Sequence, residues 1–292
     1  MKIDNAPLGH GSVKYVSTDW LEKHMDDVFI LDVQPNPHDY FLQHIPGSVY
    51  LSPNLQRATK DGQPAVYLEP HQLAELFAQV GIDNETIVVL YTHKGDFKNW
   101  GDGLEQPFMA YTLIRFGAKE VYILDGGLEK WISEGKPISQ EFPKVKTTKF
   151  KADAKEDMKI TTDDLIKIKD QDDVILLDAR PPHLYKGEST PWIKDGHIPG
   201  AVNLPWANLM HTDNPRLLKE LEEIKAIVEK VGATPDKQII CSCGTGREAT
   251  NEYLIFKHLL GYERVQLYEG SFTEWSADPN RPVVKGSTPY DN

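Results

Sequence analysis

The sequence predicts an α/β protein built from two tandem domains, each with a mostly parallel sheet flanked by helices. The prediction rests on an internal repeat and on short apolar runs that alternate with helical segments in each copy. Three blocks recur in order: "VFILDVQP" (28–35) as "VILLDARP" (174–181), "FLQHIPGSVYLS" (41–52) as "IKDGHIPGAVNLP" (193–205), and "FGAKEVYILDGGLEKW" (116–131) as "LGYERVQLYEGSFTEW" (260–275). The offsets are 146, 153 (from His44 to His197) and 144 residues. Chance matches would not keep the order, so the repeat indicates a duplicated domain.

The short apolar runs are predicted to be strands. "VFILD" and "VILLD" are continuous apolar stretches that end in Asp, which suits strands buried on both faces of a parallel sheet. "HIPGSVYL" and "HIPGAVNL" each predict a turn fixed by Pro and Gly, followed by another short strand. "ETIVVLYT" with "KQIICSC", and "EVYILDGG" with "RVQLYEGS", complete the buried strands of the two halves.

Two segments between these strands are predicted to be helices. "PFMAYTLIRFG" and "NEYLIFKHLLG" have helical spacing of apolar residues and end in Gly, a common C-terminal signal. Residues 136–159 are polar and rich in lysine, which predicts an extended linker along the surface. We therefore expect an N-terminal domain over residues 1–140, a linker over 141–158 and a C-terminal domain over 159–292.

The composition excludes several classes of protein. With 40% hydrophobic and 26% charged residues, the chain has a globular profile, and no apolar run approaches the ~20 residues of a membrane-spanning helix. The net charge of −12 argues against binding to nucleic acid, and it also means that any anion site must be built locally. The first residues lack the apolar region of a signal peptide, so we expect a cytoplasmic location. A processed secreted or periplasmic form would have the same composition.

The chain has two cysteines, Cys241 and Cys243, in "QIICSCGTGREAT". A structural zinc site needs about four ligands, and no second cysteine pair is present, so we expect no metal and no other cofactor. A disulfide across two strand residues would be strained, because its Cα separation only just reaches the allowed range. The remaining alternative is one core thiol, Cys241, and one nucleophile, Cys243, placed where the strand ends.

The residues after Cys243 suit a thiol nucleophile. In open α/β sheets, sites form at the carboxyl ends of strands. Two glycines allow the loop to point several backbone N–H groups at one atom, and a helix N-terminus follows. We expect this cradle to lower the pKa of the Cys243 thiol and to stabilise a persulfide, with Arg247 as a local cation. The alternative is that "CGTG" is only a tight turn between strand and helix.

Comparison of the two halves favours the nucleophile. Thr92 in "VVLYTHKG" lies where Cys243 lies in "QIICSCGTG", and Gly95 then matches Gly246. The first half has 25 residues from Thr92 to Gly117, against 18 from Cys243 to Gly261, an insertion of seven. The first half thus lacks the sulfur, and we expect only the second to carry out thiol chemistry.

Together these segments resemble the rhodanese family of sulfurtransferases in its tandem two-domain form, over nearly the whole chain. The marks are "LLDAR", "HIPGAVNLP", "CGTGRE" and "LYEGSFTEW" in the second half, with "LDV", "HIPGSVYL" and "LDGGLEKW" in the first. The resemblance implies a catalytically silent N-terminal domain and a six-residue substrate-binding loop in the C-terminal domain. That loop maps onto Cys243, Gly244, Thr245, Gly246, Arg247 and Glu248.

The resemblance also implies a ping-pong mechanism. Cys243 takes the outer sulfur of a donor such as thiosulfate as a persulfide, and an acceptor such as cyanide or a thiol then removes it. A phosphatase of the related fold would carry an arginine six positions after the cysteine, where this chain has Ala249. A silent binding module would be expected to have lost the cysteine, as the first half has.

The residues around the loop do not distinguish between two possible sulfur donors. "Cys-Gly-hydroxyl-Gly" is similar to the mercaptopyruvate-using branch, although Arg247 and Glu248 follow where that branch has Val-Thr. A second substrate-binding arginine often lies four residues after the "DAR" arginine, but this position is Leu184, with Lys186 as the nearest substitute. We predict thiosulfate as the donor, with 3-mercaptopyruvate or a persulfide-carrier role as alternatives.

Three further residues near the strand ends have predicted roles. Asp178 and Arg180 end a buried strand, which places them at the same edge as the loop. We expect Asp178 to support the loop, and Arg180 either to support it or to contact the substrate. His197, in "HIPG", is expected to cap a turn rather than to act as a base.

Overall fold

The protein is described by a computed structural model that covers residues 6–94 and 103–290. Gly95 and most of the predicted seven-residue insertion lie outside the described residues. The elements of the first half are β1 (Val13–Val16), α1 (Thr18–His24), β2 (Phe29–Asp32), α2 (Pro37–Leu42), β3 (Val49–Tyr50), β4 (Arg57–Lys60), β5 (Gln63–Tyr67), α3 (Pro70–Gln79), β6 (Val88–Tyr91), α4 (Glu105–Arg115), β7 (Val121–Leu124) and α5 (Gly127–Ser133).

Within the described residues, the second half repeats this order except for β1 and the pair β4 and β5. Its elements are α6 (Thr162–Ile168), β8 (Val174–Asp178), α7 (Pro182–Tyr185), β9 (Val202–Asn203), α8 (Leu221–Lys230), β10 (Gln238–Ser242), α9 (Glu248–Leu254), β11 (Val265–Leu267) and α10 (Ser271–Ala277). Three short 3₁₀ helices lie at Pro53–Gln56, Glu156–Met158 and Trp206–Leu209, and a π-helical turn, Ile255–Leu259, continues α9.

Each half contains one parallel sheet. The first has the strand order β1-β7-β6-β2-β3 and the second has the order β11-β10-β8-β9, while β4 and β5 form a separate antiparallel hairpin. In the first half, β1 pairs with β7. At the corresponding place in the second half, a single parallel bridge joins Lys159 to Leu267 of β11. Nearly every residue of the central strands is buried, because helices cover both faces. The predicted α/β class with two parallel-sheet domains is confirmed.

The strand register makes Thr92 and Cys243 structural equivalents. Tyr91 pairs with Asp32 at the end of β6, and Ser242 pairs with Asp178 at the end of β10. Thr92 and Cys243 are the next residues, so each stands at the carboxyl end of the central strand of its sheet. The prediction from the repeat therefore agrees with the backbone pairing.

The two halves pack together through α4 and α9. Every residue of both helices is buried, and the rings of Tyr111 and Tyr253 meet edge to face, 5.1 Å apart. A buried helix–helix contact of this kind fixes the relative position of the halves. Among residues 6–94 and 103–290, none of the helices has the length and apolar character needed to cross a bilayer.

Candidate active site

Cys243 lies at the head of a loop between β10 and α9, with only 1% of its surface exposed. Cys241, two residues earlier, lies within β10 and is completely buried in the core. Both thiols are free, so the disulfide alternative is not observed. The two cysteines thus occupy different environments, one inside the sheet and one at its edge.

Backbone N–H groups surround the Cys243 sulfur. The N–H groups of Thr245 and Ala249 point at Sγ, and Ser271 Oγ lies 3.9 Å from it. The N–H of Cys243 itself donates to Ser271 Oγ at 3.0 Å. The loop therefore presents several polar donors to a charge on sulfur, which is the arrangement that stabilises a thiolate or a persulfide anion.

The thiol is nevertheless hard to ionise. Burial, and then the nearby Glu248 carboxylate, raise the pKa of Cys243 to about 12, although the N–H groups of Thr245 and Ala249 act in the opposite direction. The expectation that the loop lowers this pKa is wrong, because removal of the sulfur from water and a neighbouring negative charge outweigh two backbone dipoles. Ionisation of Cys243 requires a nearby proton acceptor.

Glu248 is placed to be that acceptor. It is the first residue of α9, is 8% exposed, and accepts the N–H of Gly244 at 3.4 Å, and its carboxyl group is close enough to the Cys243 thiol for each to shift the pKa of the other. Burial raises the pKa of its carboxyl group. Thiol and carboxyl are therefore two weak acids in contact within a water-poor space, where one proton is easily shared.

Arg247, the expected local cation, turns away from the sulfur. Its guanidinium forms an ion pair with Glu105 of the first half at 2.7 Å and lies 5.6 Å from the ring centroid of Phe108. Gly246 has φ of +73°, and a Cβ there would lie 2.4 Å from the Glu269 carbonyl oxygen. Glycine is therefore required at position 246 by conformation and by space.

Asp178 and Arg180 form a buried ion pair behind the loop. Arg180 Nη2 lies 2.6 Å from Asp178 Oδ2 and 2.9 Å from the Gly196 carbonyl oxygen, and the whole side chain is inaccessible to solvent. Its guanidinium carbon lies 4.2 Å from the Phe272 ring centroid. The positive charge faces Cys243 and Glu248 from within the core. Lys186 ends α7, partly exposed, with its ammonium 3.8 Å from Glu188.

His197 is fully buried, and its two ring nitrogens lie within hydrogen-bond distance of the carbonyl oxygens of Tyr185 and Thr288. Burial lowers its pKa. This placement matches the expected turn-holding role rather than that of a base.

Trp192 covers the outer side of the loop. A Cβ on Gly244 would lie 2.4 Å from Trp192 Cζ2, so only glycine fits beneath the indole ring. The indole N–H donates to Thr273 Oγ1 at 2.8 Å, and Thr273 donates both its N–H and its hydroxyl to the Gly244 carbonyl. Trp192 and the loop therefore form one packed unit.

Sequence reasoning missed three residues that contact this loop: Ser271, Trp192 and Arg57, the last from the first half. Ser271 had a signal, since the repeat places it opposite Gly127. Trp192 lies in a segment present in one half only, because 12 residues separate Tyr185 from His197 and four separate Tyr40 from His44. Arg57 donates hydrogen bonds to carbonyl groups of the loop across the interface, and no signal in the sequence pointed to it.

Comparison with known proteins gives consistent matches along the chain. The family model for the rhodanese-like domain matches residues 17–134 and again residues 161–278. A putative thiosulfate sulfurtransferase of Synechococcus elongatus is 36% identical over 94% of this chain and 86% of that protein. The sulfur carrier protein TtuD of Thermus thermophilus is 34% identical over 93% and 96%. A thiosulfate sulfurtransferase of Azotobacter vinelandii is 35% identical over 82% and 85%.

Solved structures share the fold. The anaerobic ergothioneine biosynthesis enzyme from Chlorobium limicola, in complex with trimethyl histidine, superposes with a TM-score of 0.83. It is 23% identical, and the match covers 93% of this chain and 70% of that one. At this identity the likeness shows the architecture alone.

Proposed function

Since the chain belongs to the tandem rhodanese family of sulfurtransferases, we propose that Cys243 carries the transferred sulfur. In this proposal Cys243 accepts a sulfane sulfur from thiosulfate as a persulfide and passes it to cyanide or to a thiol. The observation that carries the proposal is the loop itself, in which N–H groups of Thr245 and Ala249 and the Glu248 carboxyl all meet one cysteine sulfur.

The first step begins with proton transfer. Glu248 takes the thiol proton, and the resulting thiolate attacks the outer sulfur of thiosulfate. A new S–S bond forms on Cys243 while the donor S–S bond breaks, and sulfite leaves with the bonding electron pair. The product is a persulfide anion, whose charge is spread over the loop donors instead of water.

The second step returns the enzyme to its starting state. The acceptor attacks the outer persulfide sulfur, the S–S bond breaks, and the electron pair returns to Cys243 as a thiolate. Cyanide leaves as thiocyanate, and a thiol acceptor leaves as a persulfide. Glu248 then returns its proton to Cys243, so protons and electrons balance over the cycle.

Backbone N–H groups, rather than side-chain cations, would hold an anionic donor at this site. Asp178 neutralises Arg180, and Glu105 neutralises Arg247, so the backbone N–H groups supply most of the local positive potential. Cys243 is 1% exposed, so a donor reaches the sulfur only by displacing atoms over the loop, and Trp192 is the large side chain there. These features favour a small donor such as thiosulfate.

The N-terminal half is proposed to be silent. Thr92 stands in place of the cysteine, and its N–H donates to Gln106 Oε1 at 3.1 Å instead of to a serine hydroxyl. We also propose the boundaries 1–140, 141–158 and 159–292 for the N-terminal domain, linker and catalytic domain.

Two other donors remain candidates. The hydroxyl residue after Gly244 supports 3-mercaptopyruvate, and the likeness to TtuD supports a persulfide-carrier role. Steady-state rates with thiosulfate, 3-mercaptopyruvate and polysulfide, measured side by side with cyanide as acceptor, separate these functions. We expect thiosulfate to give the highest kcat/KM. A higher value with 3-mercaptopyruvate, or no turnover with any donor, contradicts the proposal.

A further inference from the structure

Arg57 crosses from the N-terminal half to the Cys243 loop. It is the first residue of β4, and its guanidinium donates hydrogen bonds to the carbonyl oxygens of Thr245 and Gly246. These two residues lie two and three positions after the proposed nucleophile. The silent half is thus in direct polar contact with the loop that would carry the sulfur.

The loop needs donors on its outer side. A peptide group points its N–H and its C=O in opposite directions, so a loop that turns N–H groups toward a sulfur turns carbonyl groups away from it. The outer carbonyl of Gly244 accepts hydrogen bonds from Thr273, and that of Arg247 accepts them from Thr250, both within the second half. The next two carbonyl groups, those of Thr245 and Gly246, share peptide groups with the N–H groups of Gly246 and Arg247, and both accept hydrogen bonds from Arg57.

The guanidinium is fixed before it reaches the loop. It lies against two neighbouring rings of the first half, with its central carbon 4.3 Å from the centroid of Tyr67 and 4.4 Å from that of Phe108. Contact with both rings restricts the orientation of the planar fork, which a lysine ammonium could not reproduce. Arg57 therefore acts as a rigid two-pronged donor.

The contact is not mirrored in the second half. Arg57 pairs with Tyr67 at the base of its hairpin, and the equivalent bridge of the second half joins Met210 to Leu218. The same place in the repeat therefore holds an arginine in the first half, where it contacts the cysteine loop, and a methionine in the second.

We propose that Arg57 is a positioning residue that the silent half supplies to the catalytic half. By holding the carbonyl groups of Thr245 and Gly246, whose peptide groups lie along the chain between the N–H groups of Thr245 and Ala249, it keeps the loop in the form that directs those two N–H groups at Cys243 Sγ. Its effect on turnover rests on the proposed sulfur transfer, whereas its effect on the loop does not. The proposal gives the N-terminal half a function although it lacks a nucleophile.

Amide hydrogen exchange tests the effect on the loop independently of activity. Exchange is followed in peptides covering residues 243–249 of the full chain in the parent, Arg57→Met and Lys60→Met. Lys60 is the matched control, because it lies on the same strand and pairs with Glu69 instead of the loop. We expect loop amides to exchange at least about tenfold faster in Arg57→Met and at the parental rate in Lys60→Met.

Arg57→Lys provides the second variant, since a single ammonium can replace one of the two hydrogen bonds but not the stacking. Its loop exchange should fall between those of the parent and Arg57→Met. Thermal unfolding is measured for each variant to show that it folds. If Arg57→Met does not fold, the loop exchange of Arg57→Lys alone tests the proposal. Parental loop exchange in a folded Arg57 variant overturns the proposal.

Kinetics with thiosulfate and cyanide then distinguish positioning from binding. Because Arg57 bonds to the loop and not to the donor, we expect kcat to fall by about tenfold or more with little change in KM. A raised KM with parental kcat would instead make Arg57 a donor-binding residue. If the parent itself transfers no sulfur, the proposed function fails, while the exchange result still decides the role of Arg57.

Discussion

The two halves share the central strand, and they differ at the residue that follows it. In the first half the N–H of Thr92 donates to Gln106 Oε1 at 3.1 Å, and in the second the N–H of Cys243 donates to Ser271 Oγ at 3.0 Å. Both halves thus provide a hydrogen-bond acceptor for the backbone N–H of this residue. Only the second does so with a hydroxyl that also lies 3.9 Å from a sulfur.

Gly127 and Ser271 show the same divergence. Both have positive φ, 60° for Gly127 and 49° for Ser271, and left-handed backbone is unfavourable for serine. A Cβ on Gly127 would lie 2.7 Å from Arg216 Cδ and 2.8 Å from the Thr92 carbonyl oxygen. The first half thus has no room for a side chain, whereas the second accepts strain to place a hydroxyl beside Cys243.

An arginine of each half reaches across the interface, but the two make different contacts. Arg57 of the first half bonds to carbonyl groups of the Cys243 loop, while Arg216 of the second half is buried against Gly127 and pairs with Glu129 at 3.1 Å. On the silent side the crossing arginine fills space and holds a carboxylate. On the side of Cys243 it holds a loop, so the loop around the proposed nucleophile has contacts with both halves.

The largest expected effect comes from moving the cysteine between the halves. Cys243→Ser should lower thiocyanate formation from thiosulfate by at least about a thousandfold, and adding Thr92→Cys should not restore it. The first half lacks a counterpart of Ser271 at Gly127, and its chain is seven residues longer after Thr92. Substantial activity in the Thr92→Cys/Cys243→Ser variant would show that the cysteine alone separates the two halves.

Glu248→Gln should move two measurements in opposite directions. The negative charge of Glu248 raises the pKa of Cys243, so its removal lowers that pKa and increases the thiolate fraction at every pH below it. Alkylation of Cys243 by iodoacetamide at pH 7 to 8 should accelerate roughly tenfold for each unit by which the pKa falls. Sulfur transfer should instead slow by about a hundredfold, because the proton acceptor is lost.

Glu252→Gln is the matched control for that experiment. Glu252 is a completely buried carboxyl one turn further along α9, and its charge acts on Cys241. The Glu252→Gln substitution should leave the alkylation rate of Cys243 unchanged. Slower alkylation in Glu248→Gln would contradict the stated effect of the Glu248 charge on the thiol pKa, and parental sulfur transfer would remove Glu248 from the mechanism.

Ser271→Ala should lower the free energy of unfolding by about 2 kcal/mol, because it leaves the buried N–H of Cys243 without an acceptor. Ser271→Gly loses the same hydrogen bond but tolerates the positive φ, so it should cost about 1 kcal/mol less than alanine. Urea unfolding of both variants measures the difference. Equal stabilities would show that Ser271 is not strained.

The smallest effect is expected at the ion pair that joins the halves beside the loop. Glu105→Gln removes the partner of Arg247, whose side chain is 29% exposed and can be solvated instead. The free energy of unfolding should fall by about 1 kcal/mol or less, and the loss should shrink at high salt. A loss of several kcal/mol in urea unfolding would mean that this pair, and not α4 against α9, holds the halves together.

Much of the fold could be predicted because the repeat presents the same pattern twice. Apolar runs ending in Asp32 and Asp178 predicted the central strands, and the matched ends of β6 and β10 placed Thr92 opposite Cys243. The helical segment around Tyr253 was predicted, but not its π-helical continuation at Ile255–Leu259. Local sequence is informative here because these elements depend on patterning within a few residues.

The electrostatics of the site could not be predicted in the same way. Sequence placed Cys243, Arg247 and Glu248 in one loop but did not show that Arg247 would turn toward Glu105 and Glu248 toward the sulfur. The direction of the thiol pKa depends on burial by both halves, which no spacing reveals. Arg57 lies 188 positions before Thr245, and only the packed halves bring the two together.

The most direct test of the account is the intact mass of the protein after incubation with thiosulfate. The parent and Cys241→Ser should each gain one sulfur atom that cyanide removes, and Cys243→Ser should gain none. Cyanide-labile sulfur on Cys243→Ser, or its absence from Cys241→Ser with the parent loaded, would contradict the assignment of Cys243 as the sulfur-carrying residue.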